Sequence, residues 1–189
     1  FSRLPATLLL TLAALVIAGL LGVSLGTWAG LTRHVYLDKG LTILSVLGVS
    51  APSFFVGVLL LWLLAFAWYD VTHLPAGGYV FQPKIFGPGE RFEPRYLVLP
   101  ALTLGIRPMA VLFQLTRDSV RQVRGEDYVR TARAKGLQQR RIVLRHILKN
   151  ALNPVVTAFS GWFAALLAGT FFIEFIFNWP GIGQLTIEA

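Results

Sequence analysis

Of the 189 residues, 55% are hydrophobic and only 14% are charged, there is no cysteine, and the formal net charge is +8. Soluble domains carry about a quarter of their residues as charges, so this composition excludes an ordinary globular class and points to a membrane, while the lack of cysteine excludes disulfides and thiolate metal sites. The positive charge would suggest nucleic acid in a soluble chain, but ten of the seventeen Lys and Arg lie between Arg117 and Lys149, beside apolar runs, where membrane topology accounts for them.

The chain begins at Phe rather than Met and shows no cleavable-signal layout, which suggests an excerpt from a longer protein. Residues 4–31 are nearly all apolar and exceed the roughly 20 residues a helix needs to cross hydrocarbon, giving a first span. Within it Ala18, Gly22, Gly26 and Gly30 recur every four residues, a small-residue stripe that lets a helix of this chain or of a partner approach to backbone contact. Gly26→Leu is therefore expected to disrupt folding or assembly.

A short link follows, and residues 41–69 form a second span interrupted by Ala51-Pro52, where proline is expected to kink the helix. Trp62, Trp68 and Tyr69 gather at its far end as an interfacial belt would. Residues 70–95, with three acids and three bases, are rich in Pro and Gly and show no helical or strand period. Residues 96–116 make a third span that contains Arg107 directly before Pro108. A charge at that depth faces a bundle interior or watery pathway, or satisfies carbonyls freed by the proline. Residues 150–177 make a fourth span with Glu174 near its exit; separation along the helices argues against an Arg107–Glu174 pair, and both residues stand as candidates for a translocation path.

Between the third and fourth spans lies the basic island 117–149, with ten bases against three acids. Glu126 and Asp127 offer a helix start and Gly136 a stop. On helical spacing Tyr128 and Ala132 share a face opposite Arg130 and Arg133. Further on, Val143, Leu144, Ile147, Leu148 and Ala151 fill an arc of roughly 140° beside a stripe of Arg141, Arg145 and Lys149. Such a segment lies on a lipid surface or docks another protein. The positive-inside rule puts 117–149 and the first link in the cytoplasm, and both chain ends outside. No phosphate-cradling G-x-x-x-x-G-K-[ST] loop, no G-x-S-x-G elbow and no paired histidines occur, so the chain is read as a non-enzyme that binds no cofactor, metal or nucleic acid.

The run Tyr128-Val129-Arg130-Thr131-Ala132-Arg133-Ala134-Lys135-Gly136-Leu137, followed by Arg145-His146 and Asn150-Ala151-Leu152-Asn153-Pro154, resembles the cytoplasmic loop of ABC-transporter permeases, specifically the first permease of the dipeptide/oligopeptide group. Pro5-Ala6-Thr7-Leu8, Ser50-Ala51-Pro52-Ser53-Phe54, Leu74-Pro75-Ala76-Gly77-Gly78 and Phe177-Asn178-Trp179-Pro180-Gly181-Ile182-Gly183 agree in order, so the resemblance covers essentially the whole chain. It departs from the general Glu-Ala-Ala…Gly motif in having Arg130 and Thr131 at the first two positions, and keeps Ala132 and Gly136.

The resemblance implies an all-α polytopic helix bundle of the type I importer permease fold, a single domain over 1–189 with cytoplasmic coupling helices. It implies a second permease, two ATPase subunits carrying ATP and Mg, an external binding protein and a prokaryotic inner membrane, with further helices before Phe1 and after Ala189. Tyr128, Arg130, Ala132, Arg133, Lys135, Gly136, Leu137, Arg141 and Arg145 would then meet an ATPase groove, the small Ala132 and Gly136 permitting close approach. Within such a family the cargo ranges over peptides, glutathione, sugars and nickel complexes, and the binding protein largely decides it. A self-contained channel or secondary carrier, or a membrane-anchored scaffold whose basic loop binds anionic lipid or nucleic acid, are the readings from other classes.

Overall fold

The computed structural model describes residues 3–83 and 90–184, which are predominantly helical. Helix α1 (Leu4–Leu31) coincides with the first apolar run, and Pro5 sits in its first turn, where a missing N–H costs nothing. Helix α2 (Val35–Ser50) starts before the expected second span and stops completely at Ala51-Pro52. Proline disfavours the helical conformation of the residue before it, and Pro52 is itself extended (φ −61°, ψ 134°), so the expected kink is a break. Helix α3 (Ser53–Leu60) follows and widens into π-type turns over Leu61–Ala67; α4 (Tyr69–Thr72) is one turn.

In the segment expected to lack strands, β1 (Phe81–Pro83) and β2 (Glu90–Phe92) pair antiparallel with Phe81 opposite Phe92, their rings 5.6 Å apart. Three residues per strand are too few to leave a sequence period, and the cross-strand ring pair supplies the contact instead. Helix α5 (Arg95–Arg124) contains the third span and runs on through Pro108 into the basic island. Then come α6 (Asp127–Ala134), α7 (Gln139–Ile142), π-type turns over Val143–Ile147 and α8 (Leu148–Ala151). The fourth span is two helices, α9 (Asn153–Gly169) and α10 (Phe171–Ile176). The α9 axis departs by 51° from that of 139–151, with Pro154 in the first turn after the bend. Among the described residues α1 and α5 are each long and apolar enough to cross a membrane, and the bent pairs 35–50 with 53–67 and 139–151 with 153–169 meet the same test when each pair is taken together, as a broken span or a re-entrant loop would.

The chain gathers into two compact units, each discontinuous in sequence. The first comprises Phe1–Ile17, Ala51–Ile106 and Phe163–Ala189. Its interior holds Leu10, Leu99, Ile173, Phe177 and Trp179, all fully buried. The second comprises Ala18–Ser50 and Arg107–Trp162. There the small-residue stripe of α1 lies on α5. A Cβ added at Gly22 would stand 2.8 Å from the Met109 carbonyl oxygen, at Gly26 2.6 Å from that of Phe113, and at Gly30 2.9 Å from that of Arg117. Backbone cannot yield as a side chain can, so these positions hold the two helices at a separation that any Cβ would widen. Ala18 continues the stripe into a cluster with Leu112 and Val155.

Candidate functional site

The basic island folds as an amphipathic cap on the second unit. Glu126 is extended at the start of α6, and Asp127 adds negative charge to its first turn. At the other end the Gly136 N–H donates to the Arg133 carbonyl at 2.9 Å and the Leu137 N–H to that of Ala132 at 3.3 Å, the paired closure of a Schellman motif. That closure needs a left-handed residue, and Gly136 supplies it with φ +72°. No atom would meet a Cβ there within 4 Å, so the glycine is required by the turn and not by packing inside the chain.

The buried face differs from the expected one. Val129 and Ala132 go inward, packing with Val120, Ile142, Ile147 and Ala151, with Leu137 alongside. Ala132, expected to leave room for a partner, is 5% exposed and fills this core instead. Tyr128 is exposed, and its hydroxyl accepts a hydrogen bond from Asn150 Nδ2 at 2.8 Å. Leu144, expected in the apolar arc, is exposed because the π-type turns over Val143–Ile147 shift the register of the faces. Arg130, Arg133, Lys135, Gly136, Arg141 and Arg145 are all exposed on this cap.

Sequence reasoning missed the charge cluster beneath it. Arg117 grips Asp38 through two hydrogen bonds, Nε to Oδ1 at 2.6 Å and Nη2 to Oδ2 at 2.8 Å, and Arg121 adds a contact to Oδ2 at 2.8 Å. Two-point guanidinium–carboxylate pairing fixes direction as well as distance, so the start of α2 is locked to α5. One turn earlier on α5, Gln114 donates to Ser45 at 3.0 Å, a second polar tie between the same helices. The signal was present as Arg117 and Arg121 one turn apart, but nothing in the sequence pointed them at Asp38.

Of the two intramembrane candidates, Arg107 is exposed and has no hydrogen-bond or ion-pair partner among the described residues, carbonyls near Pro108 included. Glu174 is fully buried in the first unit. Its Oε1 accepts the Thr7 hydroxyl hydrogen at 2.6 Å and its Oε2 accepts the Gly183 N–H at 2.6 Å, while the Thr7 oxygen accepts the Ile182 N–H at 2.9 Å. A Cβ at Gly181 would collide with the Glu174 carboxyl group.

The knot extends to three of the motifs that carry the family resemblance. Trp179 Nε1 donates to the Ala6 carbonyl at 2.9 Å, and the Gly78 N–H donates to the Phe177 carbonyl at 2.8 Å. Gly78 adopts φ +120°, and a Cβ at Gly77 would lie 2.6 Å from the Phe177 oxygen, so both glycines serve this close approach. The Tyr79 ring stands edge-on to Trp179 with centroids 5.0 Å apart, and burial, followed by the nearby Glu90 charge, raises its hydroxyl pKa above the ordinary tyrosine value. The stretches 5–8 and 177–183, far apart in sequence, thus meet around one carboxyl group, and 74–78 joins them through the Phe177 carbonyl. Among the described residues no group of three His, Cys, Asp or Glu is placed to hold a metal ion.

Comparison with known proteins places residues 22–189 in a match to the family described as "Binding-protein-dependent transport system inner membrane component". The chain is 40% identical to the "Di/tripeptide transport system permease protein DppB" of Pseudomonas aeruginosa (strain UCBPP-PA14), over 98% of this chain and 59% of the relative. It is 36% identical to the "Dipeptide transport system permease protein DppB" of Escherichia coli (strain K12), over 99% of this chain and 60% of the relative. It is 34% identical to the "Oligopeptide transport system permease protein AppB" of Bacillus subtilis (strain 168), over 100% of this chain and 58% of the relative. The chain therefore spans about three-fifths of the length of these curated relatives, whose names are those of transport permeases.

Proposed function

The chain belongs to the family of binding-protein-dependent transport system inner membrane components, and we propose that it forms part of the translocation pathway of an ATP-driven peptide importer. It is a multi-pass membrane protein, its apolar helices and its family agreeing on this. In the proposed assembly a second permease completes the pathway, two ATPase subunits bind ATP and Mg, and an external binding protein delivers cargo, with 117–149 on the cytoplasmic side of a prokaryotic inner membrane. The names of the relatives support di- and oligopeptides over nickel complexes, glutathione or other small solutes.

One observation carries the reading: the basic cap is cationic outside and bolted to the spans inside. Val129 and Ala132 of α6 pack on Val120 of α5, and the glycine stripe ties α5 to α1. Movement of an ATPase subunit against Arg130, Lys135, Arg141 and Arg145 would pass through that apolar contact into both helices, the requirement for rocking a permease between inward- and outward-facing states.

Two substitutions at Gly136 test the docking surface. Gly136→Ala and Gly136→Trp both carry the cost of φ +72°, about 1–2 kcal/mol, and only Trp adds bulk, at a position where a Cβ meets no described atom within 4 Å. ATPase activity uncoupled from uptake in the Trp variant, with the Ala variant close to the parent, is the expected result. Equal behaviour of the two would reject partner contact at this turn. Purification of the full-length protein with two ATPase chains and a second permease is expected; transport by the protein purified alone would favour a self-contained carrier.

A further inference from the structure

Where α1 ends, Leu31, Arg33, Arg124, Arg133 and Gln139 line a cavity of about 350 Å³. Its three cations come from separate segments: the link after α1, the last residue of α5 and the last turn of α6. No acid lines it. Of the acids nearest in sequence, Glu126 and Asp127 follow Arg124 but do not line the cavity, Asp127 pairing with Arg130, and Asp38 and Asp118 are held by Arg117. Arg124 Nη1 donates to the Leu31 carbonyl at 3.0 Å, satisfying one of the orphan oxygens at the end of α1 and fixing that guanidinium at the cavity wall. Arg33, Arg133 and Gln139 have no side-chain hydrogen-bond partner among the described residues.

Three guanidinium groups around one cavity repel each other unless an anion sits among them. Their planar donor forks suit the oxygens of a phosphate, and the Gln139 amide can donate to a phosphate or accept from a hydroxyl. Height decides the source of that phosphate. Leu31 is the last residue of a 28-residue apolar helix, and Trp28, one turn earlier, is 52% exposed, as a ring lying at headgroup level would be. A ligand arriving at this level from the membrane side carries its acyl chains along α1 and its phosphate into the cavity.

We propose that this cavity binds the phosphate of an anionic phospholipid headgroup. The site requires the membrane placement of α1 and α5 but not the transport reading, so a failed transport assay leaves it standing.

The test uses the full-length permease in its complex, reconstituted into phosphatidylcholine nanodiscs doped with phosphatidylglycerol, with bound lipid read by native mass spectrometry. Arg33→Gln with Arg133→Gln is expected to weaken phosphatidylglycerol retention by roughly tenfold or more. Arg140→Gln with Lys149→Gln, which removes the same charge at exposed positions outside the cavity, is expected to leave it near the parent value. Arg124 is kept because it caps α1, and the pair Arg33→Lys with Arg133→Lys, retaining charge, is expected to recover part of the binding if the glutamine pair proves unstable. Equal loss in the pair outside the cavity would reduce the effect to general surface charge and overturn the site. Millimolar inorganic phosphate that displaces the lipid and binds equally well in pure phosphatidylcholine discs would make it a free-phosphate site and overturn the lipid assignment. Intact lipid retention with loss of the ATPase subunits in the glutamine pair would assign the cavity to an acidic partner surface and overturn it as well.

Discussion

Glu174 and Arg107 are the only acid and the only base within the apolar runs 4–31, 41–69, 96–116 and 150–177, and the fold treats them in opposite ways. Glu174 is wholly buried with each carboxyl oxygen receiving a hydrogen bond, from Thr7 and from Gly183. Arg107 is exposed, with no partner among the described residues. A buried polar group that is satisfied contributes to structure, and its loss is expensive because its partners are left bare. An unsatisfied cation inside an apolar run contributes nothing to this chain's internal bonding, so its reason for being there lies in something the chain meets. The sequence offered both as pathway candidates on the same ground, and the hydrogen bonds separate them.

The largest effect should follow from cutting the first. Glu174→Ala removes the acceptor of two buried donors and leaves a cavity beside Gly181, for a loss of about 3–5 kcal/mol. Thermal unfolding of the full-length protein in detergent reads this directly. Glu174→Gln keeps one acceptor oxygen and should cost roughly half as much, on the scale of one buried donor left unsatisfied. If both variants unfold with the parent while uptake falls, Glu174 belongs with Arg107 and the contrast between them collapses.

Asp38 supplies an intermediate case, an ion paired inside the chain yet partly open to water. Its side chain is 11% exposed and that of Arg117 16%. Asp38→Asn leaves Arg117 and Arg121 facing an amide, and partial solvation reduces the penalty to about 1–3 kcal/mol, below the figure for a fully buried pair. Hydrogen exchange should show the beginning of α2 opening before α5 does, since α2 alone loses its anchor. Exchange unchanged along α2 would mean that the ion pair is not what holds it.

The helical class, the first and third apolar spans and the turn at Gly136 were legible in the sequence because each rests on a local signal: a run of apolar residues, a capping acid, a glycine after an amphipathic stretch. The glycine stripe was legible as a contact but not as to its partner. Spacing every four residues specifies one face of α1, and only the fold sets Phe113 and Arg117 against it. Breaks were harder. Ala51-Pro52 does not distinguish a kink from a break, because a proline alone does not say whether a neighbour restores the lost hydrogen bond. The inward face of α6 differs from the expected one by one residue, Val129 in place of Tyr128, because over two turns the two faces differ by little, and Leu144 leaves the expected arc because π-type turns leave no mark in a 100° period. The Glu174 knot and the Asp38 cluster are beyond reach for one reason: each joins stretches more than seventy residues apart by a few isolated polar contacts, and such contacts have no periodicity. The polar signal that could have found the first is Thr7 in an apolar first turn together with Glu174 next to a turn cluster.

The smallest effect on stability, and the one that most sharpens the contrast, belongs to Arg107→Gln. No hydrogen bond or ion pair among the described residues is lost, so the unfolding free energy should stay within about 0.5 kcal/mol of the parent. If Arg107 lines the proposed pathway, its guanidinium meets the carboxylate of a passing peptide, and glutamine, an uncharged donor, loses the charge-assisted part of that contact. Uptake should then fall by roughly tenfold, the worth of one such bond, with subunit assembly and ATPase activity retained. Arg107→Lys, which keeps the charge and loses the planar fork, should recover part of the rate. A peptide amidated at its C-terminus separates recognition from simple solvation of the helix: it should be carried at similar rates by Arg107→Gln and the parent if the contact is to the carboxylate. A Gln variant that transports ordinary peptides at the parent rate would show that Arg107 faces lipid and snorkels to the headgroups, leaving the recognition of charge to other residues of the pathway.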